Sequence, residues 1–239
     1  MKYLELTFPE PESNLACDEA LIEAMEHAPS HAGILRVWEP SRHFIVLGYA
    51  NKARAEVDLE ACEARGVPVL RRASGGGAVL QGPGCLNYSL ILPNDRSEFE
   101  SISGSYRFIL EHHRQFIEPL LGMPVQVQGI SDLAVDGQKF SGNAQNRKRR
   151  FILFHGTLLL DLDLGLVEAC LRMPSKQPQY RKGRTHREFL LNIHLEREEV
   201  CERLKDAWGA QEPLVDVPTT RVDELVRERY GRQDWTHRF

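Results

Sequence analysis

The chain has 239 residues, five of them cysteine, and a formal net charge of -4, a length at which one large α/β domain with a full hydrophobic core is favoured over two small ones. That charge argues against a nucleic-acid binder working by general phosphate attraction. The odd, scattered cysteines (Cys17, Cys62, Cys85, Cys170, Cys201) have neither C-x-x-C nor zinc-type spacing, and no basic leader or membrane-length apolar run is present, so a cytoplasmic, unprocessed protein with no membrane partner is expected.

Apolar side chains at Leu15, Ala16, Leu21, Ile22 and Met25 mark one face of an opening helix, with Ser13 or Asn14 as its N-cap. Ile34 to Trp38 and Phe44 to Tyr49 are rich in β-branched and aromatic residues, and the intervening Glu39-Pro40-Ser41-Arg42 predicts a hairpin. Asp58 to Arg65 predicts a short helix ended by Gly66, followed by strands at 67–71 and 86–92. A longer helix from about Ser103 to Leu121 ends at Gly122-Met123-Pro124. Asp136-Gly137 is the strongest hairpin signal in the chain, and a second hairpin turns around Arg147 to Arg150 and returns through 151–160. The segment 211–219 connects to a last helix near Arg221 to Tyr230, read as part of the same domain. Hairpins make a mixed, largely antiparallel sheet with flanking helices, an α/β chain of the α+β type without Rossmann-like repetition.

Three segments carry chemistry. Arg71-Arg72-Ala73-Ser74-Gly75-Gly76-Gly77-Ala78 follows a predicted strand; its glycines allow positive φ and close approach of a ligand to backbone amides, although tight turns use glycine as well. The two guanidinium groups suit a carboxylate or a phosphate. In the second segment, from Ser131 to Gln145, Lys139, Ser141 and Asn143 should share one strand face; a lone strand lysine is ordinarily a solvated edge residue. In the third, His155-Gly156 interrupts an apolar strand, which points to close approach by a ligand or to a bulge with a core histidine.

Together with Asn14-Leu15-Ala16, Asp18-Glu19-Ala20, Leu35 to Glu39 and Asn87-Tyr88-Ser89, these segments resemble, in order and over nearly the whole chain, the catalytic domain shared by lipoate-protein ligases, octanoyltransferases and, more distantly, biotin-protein ligases. The resemblance implies the biotin/lipoate ligase fold and a catalytic Lys139. It also implies an acyl tunnel near Trp38, and acid and nucleotide contacts from Arg71, Arg72, Ser74, Gly75, Gly76, Gly77, Ala78, Asn87, Asp132, Ser141, Gly142, Ala144, His155, Gly156 and Thr157. Asp132 becomes a candidate magnesium ligand. ATP and Mg2+ are the implied cofactors, lipoate or octanoate the substrate, and the implied partners are acceptors such as lipoyl domains or glycine-cleavage H-like proteins.

The chain departs from the two-domain ligases in having no accessory domain after Tyr230 and Asp234-Trp235, so a single catalytic domain over 1–239 is expected, with a separate accessory subunit a possible partner. Gly82-Pro83-Gly84 instead resembles octanoyltransferases, which use a cysteine nucleophile. Their nucleophile positions hold none here: one corresponds to Ile152 and the other falls within Met123 to Ser131. Cys85 alone lies near the site and reads first as a buried apolar residue. His112-His113 reads as a surface or packing pair, Arg147 to Arg150 as a solvated turn or a steering patch for an acidic acceptor, and Arg181 to His186 as a loop over the nucleotide or a surface loop. The resulting expectation is an ATP-dependent lipoate-protein ligase. The alternatives are an octanoyltransferase and a non-catalytic lipoyl-binding module, which would not need Lys139 or the arginine pair.

Overall fold

Pro11 occupies the first position of the first helix, where its missing N–H leaves no bond unmade. In the computed structural model, which describes residues 1–29 and 31–239, the chain begins with β1 (Lys2–Glu5), α1 (Pro11–His27), β2 (Ile34–Trp38), β3 (Phe44–Leu47), α2 (Ala53–Glu56), α3 (Leu59–Ala64), β4 (Val69–Arg71), β5 (Val79–Gln81) and β6 (Cys85–Pro93). It continues with α4 (Ile102–Leu121), β7 (Gln126–Gln128), β8 (Asp132–Val135), β9 (Gln138–Arg147), β10 (Phe151–Leu159), α5 (Leu164–Cys170), α6 (His186–Phe189), α7 (Arg197–Trp208), β11 (Glu212–Pro213), α8 (Thr219–Leu225) and α9 (Gln233–Thr236).

Eight strands form the main sheet in the order β11-β1-β2-β6-β10-β9-β8-β7. β1 runs parallel to both β11 and β2, and every later pairing is antiparallel, so the mixed, mostly antiparallel sheet expected from the hairpins is present. Asp136 and Gly137 have φ of 49° and 76°, the positive values that a tight two-residue turn requires. Gly122 closes α4 in the left-handed conformation.

Three local expectations are corrected. The helix α1 begins before the expected cap, and Asn14 lies inside its first turn, where its amide accepts from the Phe8 N–H at 2.9 Å and donates to the Phe8 carbonyl at 2.8 Å. β2 and β3 are not a hairpin. Both edges of β2 are taken by β1 and β6, and β3 joins β4 and β5 in a separate three-stranded sheet. Lys139, Ser141 and Asn143 do not share a face, because a bulge interrupts the β8–β9 ladder: Leu133 faces Ser141, while its neighbour Ala134 faces Lys139.

Helices cover both faces of the main sheet. Ile109, Ile117, Val200 and Leu204, from α4 and α7, join Leu90, Leu133 and Phe154 in one core. On the opposite face Leu15, Leu21 and Ile22 of α1 pack with Val222, Leu225 and Tyr230 of the C-terminal segment. His113 is buried between Tyr88 and Trp208, the packing one of the two roles expected of it. No helix among the described residues is long and apolar enough to cross a membrane.

Candidate active site

Residues directly opposite one another in a sheet project to the same side, and the register here aligns one row across six strands: Trp38, Asn87, Thr157, Gly142, Asp132 and Gln128. The row crosses five strand spacings, about 24 Å. Every member lines one cavity of about 900 Å3, a volume suited to a small-molecule site. A second row, Arg36, Ser89, His155 and Ala144, lies two residues further along each strand. Apolar walls come from Leu15, Val46, Val79, Leu80, Leu159 and Leu162.

The bulge at Phe140 places Lys139 on the row's own face, two residues from Asp132 by way of Ala134. Its Nζ is 2.8 Å from Asp132 Oδ1, and its side chain keeps 23% of its surface exposed. A Cβ on Gly142 would come within 2.6 Å of that nitrogen, so the glycine leaves room for the lysine to lie flat along the sheet. Asp132 is held further by the Ser131 hydroxyl at 3.2 Å and by the Tyr180 hydroxyl, which donates to Oδ2 at 2.8 Å. Burial and the neighbouring Asp132 charge raise the Tyr180 hydroxyl well above its usual range, so it stays protonated and able to donate.

The glycine-rich loop is braced by one arginine and backed by another. Arg72 donates to the carbonyls of Gly75 at 2.6 Å and Gly77 at 3.0 Å and to the Ser74 hydroxyl at 3.0 Å. Burial pushes its guanidinium down to about 10, and each of these partners is neutral. The loop therefore carries a buried positive charge that an incoming anion would compensate. Arg71 departs from the expected ligand role: it is fully buried and spends its donors on the carbonyls of Gly48, Tyr49, Trp235 and Thr236. It ties the loop's base to the C-terminal segment and does not line the cavity.

Ser74 lies beneath the loop, with its Oγ 2.6 Å from His155 Nε2. The other ring nitrogen of His155 is 3.6 Å from Asp18 Oδ2. Asp18 accepts from Arg36 at 2.7 Å and from Ser89 at 2.7 Å. Burial would raise its carboxyl, but the Arg36 charge with the His155 and Ser89 contacts outweighs that and holds it below the usual carboxylate range. The polar chain from α1 through His155 thus anchors the glycine loop to the sheet.

Of the residues expected at the site, Trp38, Arg72, Gly76, Gly77, Ala78, Asn87, Asp132, Lys139, Gly142, Ala144, His155, Gly156 and Thr157 line the cavity. Ser141 does not. It is fully buried on the other face, accepting from Asn143 at 3.2 Å. Ser74 and Gly75 belong to the loop but do not line the cavity, Ser74 being buried and Gly75 exposed. The glycine at 156 is explained by close approach from inside the protein, since a Cβ there would sit 1.7 Å from Asn143 Oδ1, which also accepts from the Tyr88 hydroxyl.

Asp18, Gln81, Tyr180 and Arg181 also line the cavity and had not been assigned. The signal available for Asp18 was a carboxylate among the apolar positions of a helix. Tyr180, Arg181 and His186 line the cavity, so both ends of the 181–186 segment border it, while Lys182, Gly183 and Thr185 between them are exposed. In the 147–150 turn Arg147 donates to Asn94 at 2.9 Å and to the Phe99 carbonyl, and Arg150 to the carbonyls of Glu26 and Ala28 at 2.8 and 2.7 Å, while Arg149 is exposed.

All five cysteines are buried and none lines the cavity. Cys85 is fully enclosed, and burial pushes its thiol up to about 12. No cluster of three or more metal-ligating side chains occurs among the described residues. Asp132, the expected magnesium ligand, has both carboxylate oxygens engaged, Oδ1 by Lys139 and Ser131 and Oδ2 by Tyr180.

Residues 10–208 match the model of the family described as the lipoyl protein ligase A/B catalytic domain. The chain is 27% identical to octanoyltransferase LipM of Brevibacillus brevis, over 99% of this chain and 98% of that protein. It is also 27% identical to lipoate-protein ligase LplJ of Bacillus subtilis, over 95% of this chain and 70% of that one. Among solved structures, one of a bi-partite lipoate protein ligase and its E2 lipoyl domain from Thermoplasma acidophilum superposes with a TM-score of 0.85. At 23% identity over 99% of this chain and 95% of that one, this is a likeness of fold.

Proposed function

This chain belongs to the lipoyl protein ligase A/B catalytic-domain family, and on that premise we propose that it is an ATP-dependent lipoate-protein ligase acting on lipoate or octanoate. The observation that carries the reading is a cavity holding Lys139 and no cysteine. A thioester route needs a thiolate in contact with the acyl group, and Cys85 is walled off with its thiol raised to about 12.

In the first step an oxygen of the fatty-acid carboxylate attacks the α-phosphorus of ATP; a P–O bond forms, the bond to the bridging oxygen breaks, and pyrophosphate leaves. In the second step the amine of the acceptor lysine, as free base, attacks the acyl carbonyl; the C–N bond forms, AMP leaves with the bonding electrons, and the amine's proton is released. The Lys139 ammonium is a compact charge that balances the phosphate in the first step and the developing oxyanion in the second. The Arg72-braced loop favours the same anions through its buried charge and its amides. The apolar walls beside Trp38 take the acyl chain. Magnesium, when bound, would neutralise phosphate charge next to Asp132.

The acceptor in this reading is a lipoyl-carrier protein. A single catalytic domain with a separate accessory chain is a further part of the proposal, consistent with the bi-partite organisation of the Thermoplasma ligase. The octanoyltransferase reading draws its support from the end-to-end match to LipM, which covers 98% of that protein.

Mass spectrometry separates the two readings. Incubation with lipoate, ATP and magnesium should yield tightly held lipoyl-AMP, and Cys85→Ser should keep most of the activity. Incubation with octanoyl-carrier protein should leave no acyl group on Cys85. An octanoyl-Cys85 adduct that passes its acyl group to a lysine without ATP would replace the ligase by the transferase.

A further inference from the structure

We infer that the rim of the cavity beside β7 is the docking surface for the acyl acceptor, and that it fits a protein with an acidic surface and an apolar contact beside its target lysine. The inference rests on the proposed transfer to a protein lysine and adds where that protein sits. A lysine side chain has a four-carbon stem, so the body carrying it must lie against the rim nearest Lys139 for its amine to meet an acyl group there.

Two lips of opposite character border that point. One runs from α4 into β8. Residues 119–131 contain no charged side chain, and Ile130, which lines the cavity, is 70% exposed. Within it β7 is the edge of the main sheet, paired among the described residues with β8 alone, so its outer backbone groups are open to a strand from another chain. The other lip is residues 174–187, with Lys176, Arg181, Lys182, Arg184 and Arg187 and no acidic residue. Arg181 is buried and Arg184 is engaged with the carbonyls of Gly137 and Tyr180, whereas Lys176 and Lys182 are exposed.

The lips meet where Pro178 lies 3.5 Å from the position a Cβ on Gly129 would take. A large exposed apolar side chain on an uncharged lip, facing unneutralised lysines at the mouth through which a macromolecular substrate must reach, is the composition of an interface with an acidic partner. For a chain whose overall charge is -4, this local excess of positive charge gives the acceptor an orientation as well as an attraction.

Direct binding tests the surface independently of the chemistry. The probe is an apo-lipoyl domain whose target lysine is replaced by arginine, titrated calorimetrically into the full chain. Ile130→Glu and Lys182→Glu should each weaken its binding about tenfold, roughly 1.4 kcal/mol. Arg203→Glu, an exposed position on α7, should leave it unchanged. Added salt should weaken the wild-type complex more than the Lys182→Glu complex. Equal affinity of Ile130→Glu, Lys182→Glu and wild type would overturn the inference, as would absence of binding by the wild type. Either result would leave lipoyl-AMP formation as a separate measure of the ligase reading.

Discussion

Lys139 Nζ lies 2.8 Å from Asp132 Oδ1, and the same carboxylate receives the Tyr180 hydroxyl at 2.8 Å on its other oxygen. The pair joins two strands of the sheet to the segment that covers the cavity. It fixes the only lysine of β8 and β9 that lines the cavity against the row that forms its floor.

Lys139→Ala should lower acyl transfer at least about 100-fold, the scale seen when one oxyanion-stabilising group is removed. Asp132 is buried but would retain its Ser131 and Tyr180 partners, so the loss of its charged partner should lower stability by about 1–3 kcal/mol without unfolding the chain. Single-turnover transfer from pre-formed lipoyl-AMP, read beside a thermal melt, checks both expectations. Near-normal transfer would remove Lys139 from the mechanism.

Gly76 has φ of +96°, and a Cβ there would sit 2.7 Å from Arg72 Nη2. Gly76→Val should therefore distort the loop and displace its bracing arginine, weakening binding of lipoate or its adenylate about tenfold or more. Calorimetric titration measures this. Unchanged affinity would reduce the glycine run to a turn.

Gly156→Ala should act on stability first. The added methyl would overlap Asn143 Oδ1 at 1.7 Å and crowd the Tyr88 hydroxyl at 2.8 Å, in the middle of a strand paired on both sides. Overpacking of this kind costs about 1–3 kcal/mol. A urea midpoint equal to that of the wild type would show that the Asn143–Tyr88 contact yields easily.

Burial, with His112 nearby, pushes His113 down to about 3, so it is neutral in the fold, accepting from the Trp208 indole N–H at 3.0 Å. An unfolded histidine takes up a proton near pH 6.5, which the folded site refuses until about pH 3. The depressed folded value means that this contribution to stability is fully present above pH 6.5 and is lost as pH falls towards 3, by up to about 1.4 kcal/mol per pH unit. His113→Phe should flatten that part of the profile when urea unfolding is followed between pH 7 and pH 4. An unaltered slope would mean that the ring is already protonated in the fold.

Local conformation was legible in the sequence wherever a residue type restricts its own backbone. Asp136-Gly137 announced its hairpin because few other pairs accept positive φ at both positions, and Gly122 announced the end of α4 for the same reason. Most of the residues that the ordered motifs named do line the cavity. What the sequence left open depended on contacts between segments far apart in the chain. The partners of β2 and β3 are chosen by which edges other strands already occupy, so the expected hairpin between them does not form. The face that Lys139 occupies is set by a bulge opposite β8, which simple alternation does not contain. Arg71 and Arg72 are adjacent in sequence, yet one is consumed by the carbonyls of the C-terminal segment and the other braces the loop at the cavity wall. Trp38, Asn87, Thr157, Gly142 and Asp132 become one floor only through the register of five strands, because hydrogen-bonded pairing, unlike residue type, is decided by the whole sheet at once.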